Sequence, residues 1–150
     1  MGSHYRYNPA MPVKRVLPQA ASELMAGGYT YVDVRSIPEF EAGHPKGAYN
    51  VPLLHLVPGR GRVPNTEFVS VMGKRFGKDA KLLVGCATGM RSLRAAEILA
   101  EAGFADVIDV QAGFEGEHDM RGRVVNAGWR DAGLPVETAA PGRTYEELKG

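Results

Sequence analysis

Cys86 is the single cysteine in a chain of 150 residues, and it follows Lys81-Leu82-Leu83-Val84-Gly85, a short apolar run that reads as a buried strand. Ala87-Thr88-Gly89-Met90-Arg91 come next, and Ser92 opens a helical pattern. A thiol placed between a strand end and a helix start faces unpaired backbone N–H groups and the positive end of the helix dipole. Both favour the thiolate, which is the nucleophilic form. A lone cysteine is otherwise commonly a small buried hydrophobe. Strand-then-cysteine alone leaves the two readings balanced, and the Gly89 and Arg91 that follow tip the balance toward chemistry.

The loop reads as an anion cradle. Successive N–H groups in a curl from strand to helix can point at one centre. Gly89 supplies the freedom that such a curl demands. Arg91 at the far lip offers a guanidinium able to hold an oxyanion by paired hydrogen bonds. Ser92 reads as the N-cap of the helix. Thr88 either donates its hydroxyl to the sulfur or lines the loop, and Arg94 reads as a solvated surface charge. His44 and His55 are candidate bases in principle, yet a thiolate cradled by amides needs no proton acceptor. That argues against cysteine-protease chemistry, which requires a histidine partner. The chemistry that fits is attack on a sulfur or another anionic group, held afterwards as a covalent adduct on Cys86.

Composition limits the alternatives. With 44% hydrophobic residues and ten prolines, the chain reads as one globular domain with a substantial core. A formal charge of +1 without basic clusters argues against nucleic acid or an acidic membrane surface as the main partner. No apolar run approaches membrane-spanning length. One cysteine cannot close an internal disulfide, so the default compartment is the reducing cytoplasm. His4, His44, His55 and His118 lack ligand spacing, so neither a zinc site nor any other metal is expected. Met1-Gly2-Ser3-His4 looks like an expression-tag remnant.

The elements that must position the loop alternate between strands and helices. Gln19 to Ala26 reads as a helix ended by Gly27-Gly28, and Tyr29 to Val34 as a strand. Ser36 with Glu39 three positions on is a capping-box pattern. Tyr49 to Leu54 reads as a second strand, and Asn65 to Phe76 as a helix with Phe68, Val69, Met72 and Phe76 on one face. Lys81 to Gly85 is the third strand, Ser92 to Ala102 a helix with Leu93, Ala96, Leu99 and Ala100 turned inward, and Val107 to Val110 the fourth strand. Strands separated by helices imply parallel pairing with helices on both faces. Ligands in such sheets sit at the carboxyl ends of the strands, where Cys86 falls. Residues 113 to 128 are polar and Gly-rich, too long for a plain connection, hence a functional flap or a mobile loop. Trp129 to Ala132 reads as a turn that packs Trp129 back onto the core.

The chain resembles the rhodanese family of sulfurtransferases over roughly Pro18 to Val136. The residues that carry the resemblance are Val32-Asp33-Val34-Arg35, Glu39-Phe40, Gly43-His44, Gly47-Ala48-Tyr49-Asn50-Val51-Pro52, the Cys86 loop and Gly103-Phe104. Val110-Gln111-Ala112-Gly113-Phe114, Gly128-Trp129 and Gly133-Leu134-Pro135 follow in family order. The resemblance implies an α/β, rhodanese-like three-layer fold, with a central, mostly parallel sheet and helices on both faces. It implies an N-terminal extension over 1–12, a rhodanese domain over 13–136 with an extended loop near 114–127, and a flexible tail over 137–150.

In function, the resemblance implies a sulfurtransferase without a cofactor, in which Cys86 accepts a sulfane sulfur as a persulfide. Ala87, Thr88, Gly89, Met90 and Arg91 would bind the substrate, while Asp33, Arg35 and Ser92 support the site. His44 and Asn50 match structural turn positions. The donor would be a small anionic sulfur compound such as thiosulfate, or another persulfide. The acceptor would be cyanide or a thiol such as thioredoxin or glutathione, with no nucleic acid or membrane involved. The four residues between Cys86 and Arg91 suit a persulfide; the related phosphatases carry five, which counts against the third reading, a small phosphatase or arsenate reductase. Ala87 stands where many thiosulfate-using members carry a cation, and Arg91 counts against mercaptopyruvate. The extended loop reads as a solvated excursion, the alternative being a flap that brings His118, Arg121 or Arg123 over the site. A non-catalytic binding or redox-sensing module is the competing reading.

Overall fold

The computed structural model describes residues 13–150; the extension and tag-like residues expected over 1–12 lie outside the described residues. The chain runs β1 (Lys14–Val16), α1 (Pro18–Ala26), β2 (Thr30–Asp33), α2 (Ile37–Ala42), β3 (His44–Pro45), β4 (Tyr49–Asn50), β5 (Leu54–Val57) and β6 (Gly61–Pro64). It continues through α3 (Phe68–Arg75), β7 (Lys81–Gly85), α4 (Met90–Glu101), β8 (Asp106–Val110), β9 (Glu117–His118), β10 (Val124–Asn126), β11 (Val136–Glu137) and α5 (Tyr145–Lys149). Five strands form one parallel sheet in the order β1-β8-β7-β2-β4. The strand that ends at the cysteine is therefore central. The expected three-layer α/β architecture is what the chain adopts.

Side-chain alternation sorts the core into two layers. Val32, Val34, Leu82 and Val84 pack on one face with Phe68, Val71 and Met72 of α3, Ala95, Ala96 and Leu99 of α4, and Tyr145 and Leu148 of α5. Tyr31, Leu83, Ile108 and Val110 pack on the other, with Ala21 of α1, Phe40 of α2 and Trp129. A strand buried on both faces reads as a continuous apolar run, and Leu82-Leu83-Val84 is one. Asp109 interrupts the corresponding run in β8. It pairs in register with Val84, and it is fully buried.

Several boundaries differ from the sequence reading for identifiable reasons. The strand expected over 49–54 ends at Asn50, and Leu54 instead starts the β5–β6 hairpin, paired antiparallel from Leu54↔Pro64 to Val57↔Gly61. The α3 helix starts at Phe68 because Asn65 caps a preceding turn, its Oδ1 accepting the Glu67 amide at 3.0 Å. In α4 the buried stripe is Ser92, Ala95, Ala96 and Leu99; Ala96 and Leu99 are inward as expected, while Ser92 and Ala95 replace Leu93 and Ala100. The polar stretch after Gly113 carries the short β9–β10 hairpin. Trp129 is buried as expected, with its indole N–H on the Pro135 carbonyl at 2.7 Å and its ring edge-on to Tyr31.

The tail expected to be loose over 137–150 is instead packed. Val136 and Glu137 pair with β3, and Thr144 and Glu147 cap α5, whose Tyr145 and Leu148 bury against the α3 side of the core. Two apolar side chains three positions apart give even a short helix a face to dock. Leu148→Ala is expected to lower the free energy of urea unfolding by about 2 kcal/mol or more, as core leucine truncations do. Unchanged stability would mean that α5 contributes nothing to the core.

Candidate functional site

Cys86 sits directly beyond the carboxyl end of β7, with 1% of its surface exposed. Its sulfur points into the curl of backbone that follows. The amides of Gly89 and Ser92 donate to Sγ at 3.1 and 3.2 Å, and the Ser92 hydroxyl lies at 3.4 Å as acceptor of the thiol. Gly89 adopts φ 104°, a left-handed turn that a side chain would strain, and is itself the N-cap of α4. Ser92 is thus not the N-cap. The helix begins two residues earlier than expected, which puts Ser92 in its first turn with both amide and hydroxyl at the sulfur. Thr88 and Met90 face solvent, Met90 with 74% exposure, while Ala87 is half-buried.

A second backbone turn braces the loop from below. The Phe114 amide donates to the Cys86 carbonyl and the Glu115 amide to that of Ala87, each at 2.8 Å. The approach is so close at Gly113, with φ 53°, that a Cβ there would collide with both carbonyl oxygens. Arg35 stacks its guanidinium over the Phe114 ring at 4.4 Å. The same guanidinium pairs with buried Asp33, Nη2 to Oδ2 at 2.7 Å, and donates to the Gly43 carbonyl. Burial disfavours charge on Arg35, but the Asp33 carboxylate beside it outweighs that and raises its pKa. Asn50 fastens the turn by donating to the Asp33 and Arg35 carbonyls at 3.0 Å. Asp33 and Arg35 pair with each other beside the Phe114 ring, and neither is hydrogen-bonded to the sulfur.

Arg91 differs from its expected role as a free cation at the lip. Its guanidinium forms a two-pronged pair with Glu39, Nη1 to Oε1 at 2.8 Å and Nη2 to Oε2 at 3.0 Å. Glu39 also accepts the Ser36 amide and hydroxyl, so one carboxylate caps α2 and ties it to the start of α4. Burial pushes the Glu39 carboxyl up, yet the hydrogen bonds from Arg91 and Ser36 prevail and hold its pKa at about 2. Pairing across 52 positions was invisible in a motif that read only as a capping box.

Neither histidine considered as a base reaches the sulfur. His44 is buried and stacked on Phe40 at 3.7 Å, with Nδ1 on the Phe40 carbonyl and Nε2 facing Glu137. His55 lies against Tyr145 in the β5 strand. His118, Arg121 and Arg123 are exposed on the β9–β10 hairpin, and Arg123 is paired with Asp119. Asp109 is the residue that sequence reasoning missed. Arg15 of β1 joins it to the loop, Nε to Oδ2 at 2.6 Å and Nη2 to the Gly89 carbonyl at 3.2 Å. An acid inside Val107-Ile108-Asp109-Val110 was the available signal.

The rhodanese-like domain profile matches residues 17–118. Senescence-associated protein DIN1 of Raphanus sativus is 37% identical over 119 residues, covering 79% of this chain and 58% of that protein, so the chain spans little more than half of that relative. Thiosulfate sulfurtransferase 16, chloroplastic, of Arabidopsis thaliana is 33% identical, covering 78% of this chain and 87% of that protein. Thiosulfate sulfurtransferase GlpE of Haemophilus influenzae is 31% identical, covering 85% and 98%. Among solved structures, Rv0390 from M. tuberculosis superposes with a TM-score of 0.71 at 28% identity, covering 86% of this chain and all of that one. Among the described residues, no helix is long and apolar enough to cross a membrane.

The Glu39 pair carries a pH signature. Its folded pKa of about 2 lies below the ordinary 4.5, so the stability it contributes is complete above the ordinary value and is lost as pH falls toward about 2. The stability gap between the parent chain and Glu39→Gln is expected to be widest at neutral pH and to close on acidification, as measured by urea unfolding. A gap independent of pH would contradict the ion-pair account.

Proposed function

The chain belongs to the rhodanese-like domain family, and from that premise we propose that it is a sulfurtransferase working through a persulfide on Cys86. The observation that carries this reading is the pair of amides, Gly89 and Ser92, aimed at Sγ inside a loop only four residues long between Cys86 and Arg91. Such a loop favours negative sulfur over neutral sulfur, because fixed N–H dipoles cost no reorganisation when charge develops. The same preference serves both the attacking thiolate and the anionic persulfide.

The proposed cycle has two displacements. The Cys86 thiolate attacks the outer sulfur of thiosulfate; a new S–S bond forms, the donor's S–S bond breaks, and sulfite leaves with the electron pair. Cyanide or a cellular thiolate, such as that of thioredoxin or glutathione, then attacks the outer sulfur of the persulfide and releases the Cys86 thiolate. Ala87, Thr88, Gly89, Met90 and Arg91 contribute main-chain N–H groups along the donor's path. Arg91 contributes chiefly by fixing the loop to Glu39. With Ala87 and Thr88 uncharged, affinity for thiosulfate is modest, which favours a protein or low-molecular-weight persulfide as the working donor. The catalytic domain covers residues 13–136, residues 137–150 complete its core, and the reducing cytoplasm is its compartment.

The 1% exposure of Cys86 favours a second reading, a non-catalytic binding or redox-sensing module. Intact-mass measurement separates the two. Incubation with thiosulfate or glutathione persulfide is expected to add one sulfur atom to the parent chain and none to Cys86→Ser, whose cyanide-dependent turnover falls to the uncatalysed rate. No adduct with any sulfane donor would leave the binding module as the surviving reading.

A further inference from the structure

Three arginines surround the sulfur loop, and each is matched by a carboxylate: Arg15 by Asp109, Arg35 by Asp33 and Arg91 by Glu39. Between Cys86 and Arg91 the side chains of Ala87, Thr88 and Met90 carry no charge. These side chains therefore add no net cation to the site, although thiosulfate brings two negative charges to it. The three carboxylates are not equally placed. Asp33 and Asp109 are buried beneath the loop, whereas the Glu39 side chain is 29% exposed beside Arg91 at 12%. Arg91 directly precedes Ser92, whose amide is on Sγ, so this pair stands at the edge of the cradle. Its two-pronged geometry occupies both Nη1 and Nη2, the atoms with which a guanidinium would grip an oxyanion.

We propose that Glu39 is a specificity-determining residue that turns the site away from dianionic donors, toward sulfane donors carrying one negative charge or none. It does so by occupying the Arg91 guanidinium and by facing an arriving anion with its own charge. The donors so favoured are thiosulfonates and low-molecular-weight persulfides, and the inference rests on the sulfurtransferase reading above. With a persulfide RS–SH, the Cys86 thiolate attacks the outer sulfur and a new S–S bond forms. The donor's S–S bond breaks, RS⁻ leaves with the electron pair, and the proton stays on the transferred sulfur. One negative charge enters the step and one leaves, whereas thiosulfate must be admitted, and sulfite released, as dianions past a carboxylate. Glu39 is also held firmly in this place. Its Oε1 accepts the Ser36 amide and hydroxyl as well as Arg91, so an anion that displaces it must break the cap of α2. The carboxyl pKa of about 2 keeps it charged at any pH where a thiolate can react.

The test compares two donors that differ by one charge, thiosulfate and methanethiosulfonate, with cyanide accepting, in the parent chain and Glu39→Gln. The amide keeps an acceptor oxygen for Arg91 and Ser36 and removes only the charge. The ratio of kcat/KM for thiosulfate to that for methanethiosulfonate is expected to rise about tenfold in the variant, and less at high salt. A Glu39 that merely holds the helices together would lower both donors alike, and an unchanged ratio overturns the proposal. Alkylation of Cys86 by iodoacetate and by iodoacetamide reads the same discrimination without sulfur transfer. The ratio of the two rates should rise in Glu39→Gln; if it does while neither donor yields thiocyanate, the sulfurtransferase reading fails and the charge selection at the loop stands. If Glu39→Gln does not fold, the parent chain decides by itself. Its iodoacetate-to-iodoacetamide ratio should not fall as salt is added, because Arg91 is already neutralised. A steep fall would reveal an uncompensated cation beside the sulfur and overturn the proposal.

Discussion

Two main-chain N–H groups, from Gly89 and Ser92, converge on one buried sulfur, and most of the surrounding architecture holds them there. A loop of backbone has no intrinsic reason to curl around an atom. It does so here because its base is clamped by the Phe114 and Glu115 amides, its middle turns through left-handed Gly89, and its end is the first turn of a helix. Each clamp is itself backbone, so the loop is located to within the tolerance of main-chain hydrogen bonds rather than of mobile side chains.

Three ion pairs then connect this loop to different layers of the fold. Arg91 with Glu39 joins it to α2, Arg35 with Asp33 supports the turn beneath it, and Arg15 with Asp109 ties Gly89 to β1 and β8. Buried pairs of this kind contribute little net stability against an apolar core of the same volume. Their value here is geometric: Arg15 and Arg35 reach the Gly89 and Gly43 carbonyls, and Arg91 ties the start of α4 to α2. Charge is spent on position, and the sulfur itself is left with neutral donors.

How much of this was legible in the sequence varied with the range of the interaction. The strand 81–85 and the capping box at Ser36 and Glu39 depend on neighbours along the chain, and both read correctly; the turn after Cys86 is there, but its helix starts at Met90 with Gly89 as N-cap. The β5–β6 hairpin did not, because Leu54 reads as the end of a strand from Tyr49 and the prolines at 52, 58 and 64 interrupt any alternation beyond it. The docked α5 was missed although Thr144 and Glu147 form the same capping pattern as Ser36 and Glu39; its apolar face is only two residues wide. Arg91 with Glu39, and Arg15 with Asp109, are contacts between distant segments. Asp109 is an acid inside an apolar strand, but only the pairing of β1 beside β8 shows that Arg15 meets it.

The most direct test of the central claim is a crystal structure of the protein after exposure to thiosulfate. The account predicts extra density for one sulfur bonded to Sγ of Cys86, enclosed by the N–H groups of residues 87–91, with the Arg91 pair to Glu39 intact. A Cys86 side chain that remains unmodified and rotates away from Gly89 and Ser92 into the apolar layer would contradict it.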